Sequence, residues 1–90
     1  MICSAAHIII HGRVQGVSFR ASTHNKALEL SIKGWVRNLP NDTVEIHAEG
    51  NHENLDKLIK WCQKGPPFAK VSKCDLDWIM PKKINNFTIL

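Results

Sequence analysis

A strand, a two-glycine loop and a helix in immediate succession constrain this chain more than any other feature of its 90 residues. Ile8-Ile9-Ile10 is an apolar, strand-like run. His11-Gly12-Arg13-Val14-Gln15-Gly16-Val17-Ser18-Phe19-Arg20 follows it, and a helical pattern runs from about Phe19 to Leu30. Gly12 and Gly16 permit positive φ, which a Cβ opposes, and let the backbone come close to a ligand. N–H groups in such a loop can converge on one anion, and the helix N-terminus adds donors and a partial positive charge. Arg20 stands where loop becomes helix, and a guanidinium there can grip two phosphate oxygens at once. The stretch fits a small anion cradle with one fixed cation. It fits equally an ordinary strand-to-helix turn beside a solvated arginine. It is not a Walker A loop, because no Gly-Lys-Ser/Thr closes it, and it is not G-x-G-x-x-G.

The length suits one domain, residues 1–90, with a modest core that needs no metal or disulfide staple. Met1 to Ala6 has no basic start and Ile8-Ile9-Ile10 is too short for a signal h-region, so no leader is expected. Nothing is long enough to span a membrane, and a cytoplasmic protein follows. Cys3, Cys62 and Cys74 form no C-x-x-C pair and are odd in number. A zinc site and a full disulfide framework are therefore not expected, one disulfide stays open, and Cys62 is read as a small core residue. The net charge of +4 suits a phosphate-bearing ligand or nucleic acid, and suits a solvated basic surface as well.

Along the chain, Ala6, Ile8 and Ile10 share one face of a first strand, with His7, Ile9 and His11 on the other. Ile9 on the polar side marks that strand as central. Phe19, Thr23, Ala27 and Leu30 line one side of the first helix, Leu28 and Ile32 extend its apolar surface, and Arg20 and His24 lie one turn apart. Trp35 to Leu39 is a strand, Pro40-Asn41-Asp42 a turn, and Thr43 to Glu49 the cleanest strand, so the two form an antiparallel hairpin. Asn51 is a natural N-cap for a helix from about His52 to Lys64, with Leu55, Leu58, Ile59 and Cys62 inward and Gly65-Pro66-Pro67 ending it. A fourth strand from about Ala69 to Ile79 and a short fifth from Phe87 to Leu90 complete the chain. The order β-α-β-β-α-β specifies an α+β, ferredoxin-like sandwich: a four-stranded antiparallel sheet, extended by a possible short fifth strand, with two helices on one face. The other face carries His7, Ile9, Glu45, His47 and Glu49 and is expected to be wet.

Two motifs now read together. Gly12-Arg13-Val14-Gln15-Gly16-Val17-Ser18-Phe19-Arg20 resembles the signature of the acylphosphatase family. Gly34-Trp35-Val36-Arg37-Asn38, with Val44-Glu45 beyond the turn, resembles its second signature at the expected spacing. The resemblance is close from about Ile8 to Gly50 and looser beyond. It implies hydrolysis of a small-molecule acyl phosphate to a carboxylate and inorganic phosphate, without metal or cofactor. It implies that Arg20 and the backbone amides of Gln15, Gly16, Val17, Ser18 and Phe19 hold the phosphate, and that Asn38 orients the attacking water. Outside the resemblance, Asn38 fits a residue capping its own turn equally well. Ser18 has no evident base and is read as a loop residue, not a nucleophile. The family's usual Asp-Gly turn is replaced by Asn41-Asp42, at an expected cost of about 1 kcal/mol or less.

A non-catalytic ferredoxin-like module binding an anion or RNA is the competing class. The central strands offer no Phe or Tyr for base stacking on their open face, although Trp35 or Trp78 could serve if exposed. The expectations are thus a free-standing monomeric enzyme, with no nucleic-acid or membrane partner and no tight acyl pocket.

Overall fold

The computed structural model describes residues 3–90; Met1 and Ile2, the start of the stretch read for a leader, lie outside the described residues. The elements run β1 (Ser4–Arg13), α1 (Phe19–Glu29), β2 (Lys33–Asn38), β3 (Val44–Gly50), α2 (His52–Cys62), β4 (Lys70–Ile79) and β5 (Phe87–Ile89). They form the ferredoxin-like α+β fold, with one sheet in the order β4-β1-β3-β2-β5. β1 lies between β4 and β3 and pairs antiparallel with both, which is the central position that Ile9 signalled. The short fifth strand forms, and it pairs parallel with β2, so the sheet is mixed rather than purely antiparallel.

Alternation in β1 and β3 puts Ala6, Ile8 and Ile10 with Val44, Ile46 and Ala48 beneath the helices, where all six are buried. Phe19, Thr23 and Ala27 from α1 and Leu55, Leu58 and Cys62 from α2 close the core from above. Leu28, read as part of the apolar face, is instead exposed, because α1 buries only a narrow stripe. Asn51 caps α2 through its side-chain oxygen, which accepts from the Asn54 N–H at 2.8 Å. All three cysteines are free. Cys62 is buried, and desolvation pushes its thiol pKa well above the ordinary range. No described helix is long and apolar enough to cross a membrane.

The sheet's second face is not wet throughout. His47 and Glu49 are each only 2% exposed. The cause is topological. β4 and β5 occupy opposite edges of a five-stranded sheet, and the helices fill one face, so the link between them must cross the other. Four interstrand spacings span roughly 19 Å, and residues 80–86 reach about 25 Å when fully extended. The link therefore runs nearly straight over β3. There the backbone N–H groups of Lys82 and Ile84 donate to the Glu49 carboxylate at 2.7 and 3.2 Å. The same carboxylate pairs with His47 Nε2 at 2.6 Å, and His47 stacks on Trp35. Trp35 is in turn covered by the Arg37 guanidinium, 5.2 Å from its ring centre. Trp78 on the edge strand is partly exposed and stacks on His52.

Burial raises the Glu49 pKa, but hydrogen bonds from His47, Lys82 and Ile84 outweigh it, and the group sits below its ordinary 4.5. A depressed native pKa stabilises the fold fully above the unfolded value and is lost as pH falls through the native one. Glu49→Gln is expected to cost about 2 kcal/mol at pH 7, since one oxygen becomes a donor facing donors. It should also flatten the loss of stability below pH 4.5, the group's ordinary value. Urea unfolding of both proteins at neutral and acid pH measures this; parallel curves would contradict it.

Candidate active site

The loop after β1, the end of β2, the start of β4 and the end of β5 all meet at one end of the sheet. A β-bulge between His11 and Gly12 shifts the β1–β4 register there and turns the strand end toward the loop. Gly12, at φ 121°, lies so close to β4 that a Cβ would collide with the Lys70 carbonyl oxygen. Gly16 has open space around it, but its φ of 74° is left-handed. Ser18 is also left-handed, at φ 63° and ψ 27°. A left-handed serine costs energy that a local turn alone would not justify, and such conformations gather at ligand-binding loops.

Ser18 is the N-cap residue of α1, yet its side chain makes no capping bond, and the first turn holds no acidic residue. The helix start therefore has neither a side-chain cap from Ser18 nor a compensating negative charge in its first turn. That arrangement favours an anion.

Beside it lies a cavity of about 210 Å³ whose wall includes Gly16, Ser18, Phe19, Arg20 and Asn38. Arg20 and Asn38 thus reach one cavity from separate elements. Arg20 is held at its Nη1, which donates to the Leu90 carbonyl oxygen at 2.9 Å. Leu90 is fixed by its own N–H on the Val36 carbonyl, an extension of the β2–β5 pairing. Phe19, next to Arg20, is buried and packs on Trp61 with ring centres 5.6 Å apart, which anchors the first turn of α1 to α2. Asn38 is the last residue of β2 and pairs with Val44 across the hairpin.

Of the loop residues singled out in the sequence, Gly16, Ser18 and Phe19 line this cavity, whereas Val17 lines its neighbour. Gln15 lines neither. Its side-chain Nε2 donates to the carbonyls of Leu39 and Thr43 at 2.8 and 2.9 Å. It therefore ties the loop to the hairpin that carries Asn38. Sequence reasoning missed this side-chain role, although a lone amide between Val14 and Gly16 was a signal, since a half-buried amide needs partners. Gln15→Ala should lower kcat about tenfold, with the loop free to drift from Asn38. A kcat within twofold of wild type would show that the tie does not set the geometry.

The β2–β3 turn uses three residues, Pro40 to Asp42. The Asp42 N–H bonds back to Leu39 and the Thr43 hydroxyl donates to Asn41 Oδ1. Only Asp42 is left-handed, at φ 68°. It occupies the position of a three-residue hairpin where glycine is favoured. Asp42→Gly should raise stability by about 0.5–1 kcal/mol and leave turnover unchanged. A unchanged or lower urea midpoint would contradict this.

Fold and cavity define a ferredoxin-like α+β protein with a glycine loop running into an uncapped helix. The acylphosphatase family profile matches residues 6–89. An acylphosphatase of Thermococcus kodakarensis is 45% identical over 85 residues, which cover 94% of this chain and 93% of that protein. One from Chloroflexus aurantiacus is 49% identical over 86 residues, covering 94% of each. The solved structure of an acylphosphatase from Coxiella burnetii matches 98% of this chain and 93% of its own, with a TM-score of 0.95 at 36% identity. The chain belongs to the acylphosphatase family, and it is a hydrolase of that family.

Proposed function

We propose that this chain hydrolyses acyl phosphates to a carboxylate and inorganic phosphate, with Arg20 and the amides of residues 15–19 holding the phosphoryl group and Asn38 orienting the water. The carrying observation is that Arg20 and Asn38 line one cavity beside an uncapped helix N-terminus. Phosphoryl transfer demands positioning and charge stabilisation more than covalent chemistry. A guanidinium and the backbone N–H groups of the loop and helix start answer that demand. Asn38 cannot take a proton at neutral pH, but its amide offers one acceptor and two donors to a water.

In the reaction, the water oxygen bonds to phosphorus while the bond from phosphorus to the acyl oxygen breaks. The carboxylate leaves with the bonding pair. Its conjugate acid has a pKa of roughly 4, so it departs without a general acid. The water's proton passes to a phosphoryl oxygen and then to solvent. Neither metal nor cofactor is required by this chemistry. Three free thiols suit a reducing, cytoplasmic compartment, and the single sheet with one core suits a monomeric single domain.

Hydrolysis in ¹⁸O-enriched water tests the mechanism. Label in the inorganic phosphate supports attack at phosphorus by an oriented water. Label in the carboxylate would mean attack at the carbonyl, and the role given to the cradle would be wrong.

A further inference from the structure

Phe19 is the first residue of α1, between the left-handed Ser18 and Arg20, and it lines the cavity with both. Ser18 gives this turn no side-chain cap. The Phe19 ring attaches the turn to α2 instead, since it is buried and packs on Trp61. Gly65, shortly beyond α2, lies against the same ring. A Cβ built on Gly65 would stand 2.6 Å from Phe19 Cε2, 3.3 Å from Phe19 Cδ2 and 3.2 Å from the Ala69 Cβ. The ring would have to move, and in a close-packed interior it has no free space to enter. Gly65 is itself held, because its N–H donates to the Trp61 carbonyl at 2.7 Å. Trp61 thus meets Phe19 through its ring and Gly65 through its backbone. In the sequence, Gly65 serves to end a helix, which asks for a left-handed backbone, and its φ is 72°. Asparagine also enters that region more readily than most residues. The contact with Phe19 asks for something more, the absence of any Cβ.

We propose that Gly65 and Trp61 are positioning residues of the phosphate cradle, acting through the Phe19 ring to set where the first turn of α1, with Arg20, stands relative to Asn38. The proposal rests on the acyl-phosphate reading above and extends its machinery to the second helix. Asn38 ends β2 and is carried by the hairpin, whereas Arg20 and Phe19 move with α1. A displaced Phe19 ring shifts one half of the site against the other. Reactions that depend on orientation lose rate steeply with such shifts.

Gly65→Asn separates the two demands, because it keeps a residue that tolerates the left-handed backbone and adds the Cβ. Benzoyl phosphate turnover and its inhibition by inorganic phosphate are read on folded protein. Phosphate inhibition should weaken about tenfold and kcat should fall about tenfold. Phe19→Leu removes the ring. In that background, Gly65→Asn should change either value by less than about twofold, since the collision is gone. Trp61→Leu keeps the backbone bond to Gly65 but frees the ring's other side. It should weaken phosphate inhibition about threefold, and it carries the test if Gly65→Asn does not fold. A residue that only stops a helix would lower the urea midpoint and leave phosphate inhibition alone. Unchanged inhibition in folded Gly65→Asn, or in Trp61→Leu, would therefore overturn the positioning role. Equal losses from Gly65→Asn with and without Phe19→Leu would overturn it too. In each case, turnover by wild type would leave the hydrolase reading intact. A folded wild type that neither cleaves benzoyl phosphate nor binds inorganic phosphate would overturn the acyl-phosphate reading and the positioning role with it.

Discussion

Arg20→Ala is expected to lower acyl phosphate turnover by at least about a thousandfold, the scale on which an arginine acts at a transferring phosphoryl group. Two effects combine. On the proposed mechanism, the variant loses the cation that offsets charge on the phosphoryl oxygens and the fork that fixes their orientation. Competitive inhibition by inorganic phosphate should disappear with it. Arg20→Lys should recover only a small part, because a point charge on a flexible stem does not reproduce the bidentate grip. Stability should change little, since the one hydrogen bond lost is to the Leu90 carbonyl at an exposed site. Unfolding curves separate a lost cradle from a lost fold. A variant that bound phosphate as wild type does would place the cradle elsewhere.

Asn38→Ala should behave differently. Turnover should fall about a hundred- to a thousandfold, the cost of removing one oriented polar contact in a transition state. Phosphate inhibition should stay within about threefold, because the proposed mechanism has Asn38 act on the water rather than on the bound anion. Asn38→Asp sharpens the test. Aspartate can accept a proton, so a hidden general-base role would be kept or improved. Water orientation by a neutral amide predicts a worse enzyme, as the new charge repels the phosphoryl oxygens. Near wild-type turnover in either variant would remove Asn38 from the mechanism.

The contrast between these two residues also shows what a linear sequence reveals. The loop from Gly12 to Arg20 and the strand ending at Asn38 are local patterns, and local patterns were legible. Strand alternation in β1 and β3 gave the core, and turn residues gave the hairpin. What stayed hidden depends on chain segments far apart. Glu49 reads as a solvent-facing strand residue until residues 80–86 are drawn across it, and that crossing follows from the positions of β4 and β5 at opposite sheet edges. The parallel pairing of β5 with β2 brings the Leu90 carbonyl to Arg20, a contact no spacing rule predicts. The Gln15 side chain is similar. Its partners, the Leu39 and Thr43 carbonyls, flank the turn between the two parts of the second signature, so the two signatures are joined by bonds that neither pattern reveals.

The turnover of benzoyl phosphate by the purified protein in EDTA, with Arg20→Ala beside it, tests the central claim most directly. The account predicts saturable hydrolysis by wild type, inhibition by inorganic phosphate, and loss of both in the variant. Absence of turnover from folded wild type, or equal rates in the two proteins, would contradict it.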